Sequence, residues 1–223
     1  MVTLMCSCIG ASCKTASQTS VAPAVPPPRA GQPPPIVQPG APGQASQVIT
    51  AQKASDLSQV QYTGADIKFM QGMIGHHAQA IEMTSLLATR TSSEDLKKLA
   101  ARIQISQDDE IHMMQTWLSV RGQQVPDRNA MHMHGAALMP GMLTQDEMKQ
   151  LADARGAPFD KLFLEGMIKH HGGALTMVQE LFATPGAGQD SEIFAFASDV
   201  DADQRMEIER MSALLNMIKE HQQ

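Results

Sequence analysis

One helical segment occurs twice in this sequence. Residues 72–83 read GMIGHHAQAIEM, and residues 166–177 read GMIKHHGGALTM. The surrounding residues match at an offset of 94, and a second pair of segments downstream matches at an offset of 97. The sequence therefore predicts one long helical hairpin present twice, over residues 63–121 and 157–220. Two such hairpins bury their apolar faces best against each other, so we expect an all-α fold built as a four-helix bundle.

Helix-start signals and apolar spacing predict the individual elements. Thr63 followed by Asp66, and Thr144 followed by Glu147, are capping pairs that open a helix. Another start is predicted at Ser92. No segment alternates like a strand, so we expect helices alone. Apolar residues recur at helical spacing over about 63–88, 92–120, 144–155, 158–183 and 191–220.

The first 60 residues differ in composition from the rest of the chain. Residues 14–60 contain most of the 13 prolines and few large apolar residues, which predicts a disordered Pro-rich linker before the helical part at 61–223. Residues 1–13 hold all three cysteines and resemble a signal or lipoprotein segment, although no basic residue precedes Cys13. We therefore expect export. An N-terminal lipid anchor would be the membrane attachment, because no apolar run reaches the ~20 residues of a span.

Methionine and histidine share one face of the repeated helix. Met73, His76 and Met83 lie on one stripe at helical spacing, and His77 lies one step round from it. The second copy keeps the same arrangement. Its corresponding residues are Met167, His170, His171 and Met177.

A stripe of this kind most often serves core packing, and a single histidine on it is usually a hydrogen-bonded core residue. Two adjacent imidazoles, present twice in register, favour a set of metal ligands instead, because buried imidazoles are difficult to satisfy by packing alone. Thioether and imidazole without cysteine select a soft metal, so we predict copper, chiefly Cu(I), with Ag(I) as its mimic. Since the ordinary imidazole pKa is about 6.5, metal affinity is expected to fall between about pH 7.5 and 5.

The segment between the two repeats, residues 126–143, shows the same chemistry. It carries four methionines and two histidines close together. A short Met- and His-rich stretch predicts capture of a soft metal, and the alternative is a flexible loop without such a role. The residues concerned are Met131, His132, Met133, His134, Met139 and Met142.

Four stretches of the chain resemble one protein family: FMQGMIGHHAQAIEM, QDDEIHMMQTWL, LMPGMLTQDEMKQL and FDKLFLEGMIKHHGGALTM. Over residues 61–219 the chain resembles the bacterial domain of unknown function 305. The resemblance implies a ferritin-like four-helix bundle, export to the periplasm or cell surface, and copper binding in copper tolerance. It also implies that Met114 and Met211 join the two ligand sets. The two halves need not bind equally, because they differ at Glu82 against Thr176 and at His112 against Glu209.

We predict a copper-binding protein, not an enzyme, that buffers, sequesters or carries copper and that exchanges it with a periplasmic efflux or carrier protein. Two alternatives stay open. A ferritin-like dimetal oxidase would need Glu-x-x-His motifs, which the chain lacks, since Glu110 and His112 are only two residues apart. A metal-free helical interaction module would show unchanged thermal stability with copper. The net charge of −6, without a basic stripe, argues against nucleic acid as a partner.

Overall fold

The structure is a computed structural model, and its described residues fall into two units that divide after Leu57. Within the described residues there are two short strands and seven helices. The described ranges are 35–38, 46–55, 61–128 and 138–220.

The first unit contains an antiparallel pair of strands, β1 (Ile36–Gln38) and β2 (Gln47–Ile49), and a short helix α1 (Ala51–Ser55). Here the structure differs from two expectations, that residues 14–60 have no regular structure and that the chain has no strand. Both strands are short and rich in valine and isoleucine, whose β-branched side chains favour extended backbone. Three residues are too few to show a clear alternation in the sequence. The predicted domain boundaries themselves stay predictions.

The second unit is helical, which confirms the prediction for this part of the chain. Helix α2 packs on α4, α6 packs on α7, and the two pairs meet through α2 and α6. None of the described helices is both long enough and apolar enough to span a membrane. The helices are α2 (Gly64–Ser85), α3 (Leu87–Arg90), α4 (Glu94–Val120), α5 (Gln145–Asp153), α6 (Ala157–Ala183) and α7 (Ser191–Glu220).

The capping pairs predicted at two helix starts are both present. The Thr63 hydroxyl accepts from the backbone at the start of α2, and the Asp66 carboxylate accepts from the Thr63 backbone N–H at 2.6 Å. Thr144 and Glu147 form the same reciprocal pair at the start of α5. Helix α4 is capped by Ser93 rather than by Ser92, because the Ser93 hydroxyl is the one that accepts from the backbone N–H of the third helical residue.

Two apolar clusters fill the second unit, and a polar layer lies between them. The first cluster joins the N-terminal halves of α2 and α7 to the C-terminal halves of α4 and α6, and the second cluster joins the opposite halves. Helices packed side by side therefore run antiparallel. The layer between the clusters consists of buried polar side chains from all four long helices: His76, His77, Gln107, His170, His171 and Gln204.

Candidate metal-binding site

Four fully buried histidines form the centre of the polar layer. Helix α2 carries His76 and His77, and α6 carries His170 and His171. Because α2 packs on α6, the rings of His76 and His170 face each other with their centroids 3.9 Å apart. The structure thus brings together, in one layer, the two histidine pairs that lie 94 residues apart in the sequence.

The outer histidine of each pair contacts a glutamate on the neighbouring helix. The Nε2 atom of His77 lies 2.5 Å from the Oε2 atom of Glu110 on α4. The Nε2 atom of His171 lies 2.6 Å from the Oε2 atom of Glu207 on α7. The two glutamates are only 16% and 13% exposed, so each pair is shielded from water on most sides. The repeat therefore preserves a histidine–carboxylate pair in each half.

The inner histidines, His76 and His170, differ from each other. The Nε2 atom of His76 lies 3.0 Å from the carbonyl oxygen of Pro140, in the segment that precedes α5. This segment lies directly on α6, since a Cβ added at Gly173 would overlap the Pro140 carbonyl. Neither ring nitrogen of His170 has a hydrogen-bond partner among the described residues. The segment around Pro140 occurs once in the chain, which explains why the two halves are not equivalent here.

Burial keeps the inner histidines neutral. Desolvation, followed by the nearby His77, lowers the pKa of His76 to about 3. Desolvation, followed by the nearby His76, lowers the pKa of His170 well below its ordinary value. Loss of water disfavours the charged form of an imidazole, and a neighbouring imidazole adds to the effect. Both rings therefore have free electron pairs for a metal at neutral pH.

Unpaired nitrogen atoms make this layer suitable for a metal. Within the described part of the chain, the Nδ1 atoms of all four histidines are buried without a hydrogen-bond partner. A buried polar atom left unpaired costs about 1–3 kcal/mol. Coordination of a cation by these nitrogens would remove that cost, so the donor set fits a metal that accepts imidazole.

The predicted methionine ligands lie on both sides of the histidine layer. Among those in the described ranges, five are fully buried, Met177 and Met142 are nearly so, and Met139 is half-buried. Met131, His132, Met133 and His134 lie outside the described residues. The ligand roles of all these residues stay predictions. The first cluster contains Met73, Met114 and Met177, and the second contains Met83, Met167 and Met211.

The two matched glycines of the repeat make room for methionine side chains. A Cβ at Gly72 would lie 3.2 Å from the Met139 sulfur and 3.5 Å from the Met177 methyl group. A Cβ at Gly166 would lie 3.3 Å from the Met83 methyl group. Gly72 therefore admits Met177 and Gly166 admits Met83, each from the opposite half of the repeat, while Met139 and Leu143 reach the same glycines from the segment between the repeats.

No three His, Cys, Asp or Glu side chains in the described ranges lie close enough together to hold a metal ion by themselves. The methionines on both sides of the layer offer thioether sulfur as a further ligand type. A mixed set of imidazole and thioether favours a soft cation over magnesium or calcium, which bind oxygen.

The sequence prediction missed the two glutamates. Glu110 and Glu207 match at the offset of 97, but a surface position explains such a match equally well. The carboxyl of Asp203 is affected by both glutamates. Desolvation raises its pKa most, and the negative charges of Glu110 and Glu207 raise it further. Only the helix pairing shows that these carboxylates face histidines, so spacing along one helix could not have revealed them.

Known proteins share this arrangement of helices. A candidate secreted protein of Streptomyces coelicolor is 29% identical, with 70% of this chain and 94% of that chain covered and a TM-score of 0.60. CopM, solved with Cu(II) bound, is 31% identical, with 68% of this chain and 95% of that chain covered and a TM-score of 0.56. CopM has also been solved with Cu(I) and with Ag bound.

Sequence comparison gives two further matches. An uncharacterised protein of Acanthamoeba polyphaga mimivirus is 41% identical over 56 residues, which are 25% of this chain and 37% of that protein. The match thus spans well under half the length of that relative. The model of the family described as Domain of unknown function (DUF305) matches residues 66–215, which is more than half of the chain. The resemblance seen in the sequence is thereby confirmed, and the chain belongs to the DUF305 family.

Proposed function

We propose that this protein binds copper outside the cytoplasm, chiefly as Cu(I), and buffers, sequesters or carries it in metal tolerance. The observation that carries the proposal is the layer of four buried histidines whose Nδ1 atoms have no hydrogen-bond partner among the described residues. CopM, which resembles this chain over most of its length, has been solved with Cu(I), with Cu(II) and with Ag bound.

The proposed scaffold is a ferritin-like four-helix bundle formed by α2, α4, α6 and α7. Antiparallel packing of these helices and the two apolar clusters support this arrangement. Such a bundle holds ligands from facing helices at fixed positions, which is what a buried metal site requires.

The proposed ligands are the four histidines with buried methionines from the flanking clusters. Imidazole supplies nitrogen to either copper oxidation state, and thioether favours Cu(I). The Met- and His-rich segment at 126–143 is the proposed site of first capture. The bundle ligands are Met73, His76, His77, Met83, Met114, Met167, His170, His171, Met177 and Met211.

We further propose that the protein is a binding protein and not an enzyme. The support for this is the donor set, since imidazole and thioether groups are present while the Glu-x-x-His motifs that a ferritin-like dimetal oxidase needs are missing from the sequence. Periplasmic or cell-surface location, with a lipid anchor at the N-terminus, belongs to the same proposal. The likeness to a candidate secreted protein supports export. A periplasmic efflux or carrier protein is the proposed recipient of the metal.

Metal analysis of the purified full-length chain tests the proposal. The protein is loaded with Cu(I) under anaerobic conditions, passed through a desalting column and analysed for copper and sulfur together. We expect copper to remain bound in a fixed ratio to protein and to raise the midpoint of thermal unfolding, because a ligand that binds only the folded state stabilises it. Copper that passes through without retention, together with an unchanged midpoint, would favour the metal-free interaction module.

A further inference from the structure

We infer that Glu110 and Glu207 are positioning residues that hold the Nε2–H groups of His77 and His171, so that each of these histidines binds copper through Nδ1. This inference rests on the proposed function. It assigns a role to two side chains that are not themselves metal ligands, and it names the ligand atom of each histidine.

The contacts of His77 and His171 with the two glutamates decide which ring nitrogen carries the hydrogen. A neutral imidazole has one N–H donor and one acceptor nitrogen, and an ionised carboxylate only accepts. At 2.5 Å from Glu110 and 2.6 Å from Glu207, the Nε2 atoms of His77 and His171 must donate to these carboxylates. In the neutral form of each ring the electron pair then lies on Nδ1. That atom is buried and lacks a hydrogen-bond partner within the described residues in both histidines.

His76, in the same layer, has a backbone carbonyl where the outer histidines have a carboxylate. Its Nε2 atom lies 3.0 Å from the Pro140 carbonyl oxygen, which can only accept. Nε2 must therefore carry the hydrogen, which leaves Nδ1, buried and without a hydrogen-bond partner among the described residues, as the ligand nitrogen. A backbone carbonyl and two carboxylates thus fix the same tautomer in three histidines of the layer.

The hydrogen bond at one ring nitrogen affects how strongly the other nitrogen binds a metal. A histidine that binds a metal usually donates its other N–H to a carboxylate or carbonyl, which orients the ring and makes the ligand nitrogen more basic. Loss of such a partner typically reduces metal affinity about 10–100-fold. The occurrence of the same pair in each half, on α4 and on α7, is what this role predicts.

The test starts with the metal-free full-length protein labelled with ¹⁵N in its histidines. Long-range ¹H–¹⁵N spectra distinguish a protonated ring nitrogen from an unprotonated one. We expect His77 and His171 to carry hydrogen on Nε2 and none on Nδ1. When Ag(I) is added, the Nδ1 resonances should shift while Nε2 stays protonated. Hydrogen on Nδ1 in the metal-free protein, or coordination of silver by Nε2, overturns the inference.

The second measurement uses Glu110→Leu and Glu207→Leu, which remove the hydrogen-bond acceptor altogether, whereas a glutamine would keep an amide oxygen that accepts from Nε2–H. In Glu110→Leu, the Nδ1–H tautomer should appear in His77 but not in His171, and Ag(I) affinity should fall at least tenfold. In Glu207→Leu, it should appear in His171 but not in His77. Asp109→Leu and Glu209→Leu serve as matched controls, because these exposed residues neighbour the two glutamates on α4 and α7. Unchanged tautomers and affinity in the glutamate variants overturn the inference.

The two proposals can fail separately. If the wild-type chain binds no Ag(I) or Cu(I), the proposed function fails, and with it the role in metal binding. The tautomers of the metal-free protein still show whether the glutamates hold the Nε2–H groups. If silver binds tightly and the tautomers differ from those expected, the positioning role fails while the proposed function stands.

Discussion

The rings of His76 and His170 face each other across the contact between α2 and α6, with centroids 3.9 Å apart and planes inclined by 37°. Two imidazoles at this distance cannot both be charged in a site without water. Burial lowers the pKa of both rings, and beyond burial His77 lowers the pKa of His76 while His76 lowers that of His170. The folded protein keeps this pair neutral under conditions in which an exposed histidine is protonated.

The first prediction concerns acid stability of the metal-free protein. In the unfolded chain His76 and His170 have a pKa of about 6.5, whereas in the folded chain their pKa values are lower. The unfolded state therefore takes up protons first, and the free energy of unfolding should fall as pH drops below about 6.5. The slope should reach about 1.4 kcal/mol per pH unit for each histidine. For His76 the loss should continue to about pH 3.

Urea unfolding measured between pH 7.5 and 5 checks this prediction, because most carboxyl groups stay ionised over that interval. His76→Gln should reduce the slope, since it removes one buried titrating group. His112→Gln is the matched control, because His112 is exposed on α4. A free energy of unfolding that does not change over the interval would mean that these histidines are not kept neutral by the fold.

Much of the helical scaffold could be predicted from the sequence. The repeat indicates two long helix pairs, and the capping residues Thr63 and Thr144 mark true helix starts. The stripe that contains His76 faces the interior, as helical spacing requires. These features depend on residues close together in the chain, where spacing alone decides which side chains share a face.

The partners of the histidines could not be predicted in this way. Glu110 and Pro140 reach the layer from other helices and from the segment before α5, so their contacts depend on how distant parts of the chain pack. The pH range was also predicted from an unperturbed imidazole. Because burial lowers the pKa of His76 and His170, proton competition with metal at these two rings should be weaker over pH 7.5 to 5 than at an exposed histidine.

The second prediction compares two adjacent glycines of α6. Gly173→Ala should lower the free energy of unfolding by about 1–3 kcal/mol, because the new Cβ would overlap the Pro140 carbonyl. The segment around Pro140 should move, and its hydrogen bond to His76 should be lost. Gly172→Ala should stabilise the protein by about 0.5–1 kcal/mol, because nothing lies within 4 Å of its Cβ position and alanine favours the helix. Chemical denaturation of both variants measures the difference, and equal effects would show that the segment does not lie on α6.

The third prediction separates sulfur from packing. Met73→Leu and Met167→Leu keep the side-chain volume, so each should cost less than about 1.5 kcal/mol of stability. Each should weaken Cu(I) binding and leave Zn(II) binding unchanged, because zinc seldom uses thioether ligands. Wild-type protein should bind Cu(I) or Ag(I) in preference to Zn(II), Mg(II) and Fe(II). Competition titrations with a chromophoric chelator measure these affinities.

Met206→Leu and Met217→Leu are the matched controls for this substitution. Both methionines are about half exposed on α7, so they lie at the surface and not in the apolar clusters. They should leave the Cu(I) affinity unchanged. Tighter binding of Zn(II) than of Cu(I) by the wild-type chain would show that the sulfur atoms do not select the metal.

The fourth prediction concerns the N-terminal part of the chain. Removal of residues 14–58 should leave the helical signal per folded residue and the copper stoichiometry unchanged, because a Pro-rich segment with few apolar residues buries little surface. Circular dichroism and metal analysis of the shortened chain check this. A loss of helix or of bound copper would mean that this segment contributes to the helical unit or to the metal site.

Copper binding by the four buried histidines is tested by competition against a chromophoric Cu(I) chelator at neutral pH, with the wild-type chain compared with a variant in which all four are replaced by alanine. Circular dichroism reports whether the variant keeps its helices. We expect the wild-type chain to remove Cu(I) from the chelator and the helical variant to bind it at least tenfold more weakly. A helical variant that binds Cu(I) as tightly as the wild-type chain, or a variant that unfolds because the imidazoles serve packing, would contradict this expectation. The substituted residues are His76, His77, His170 and His171.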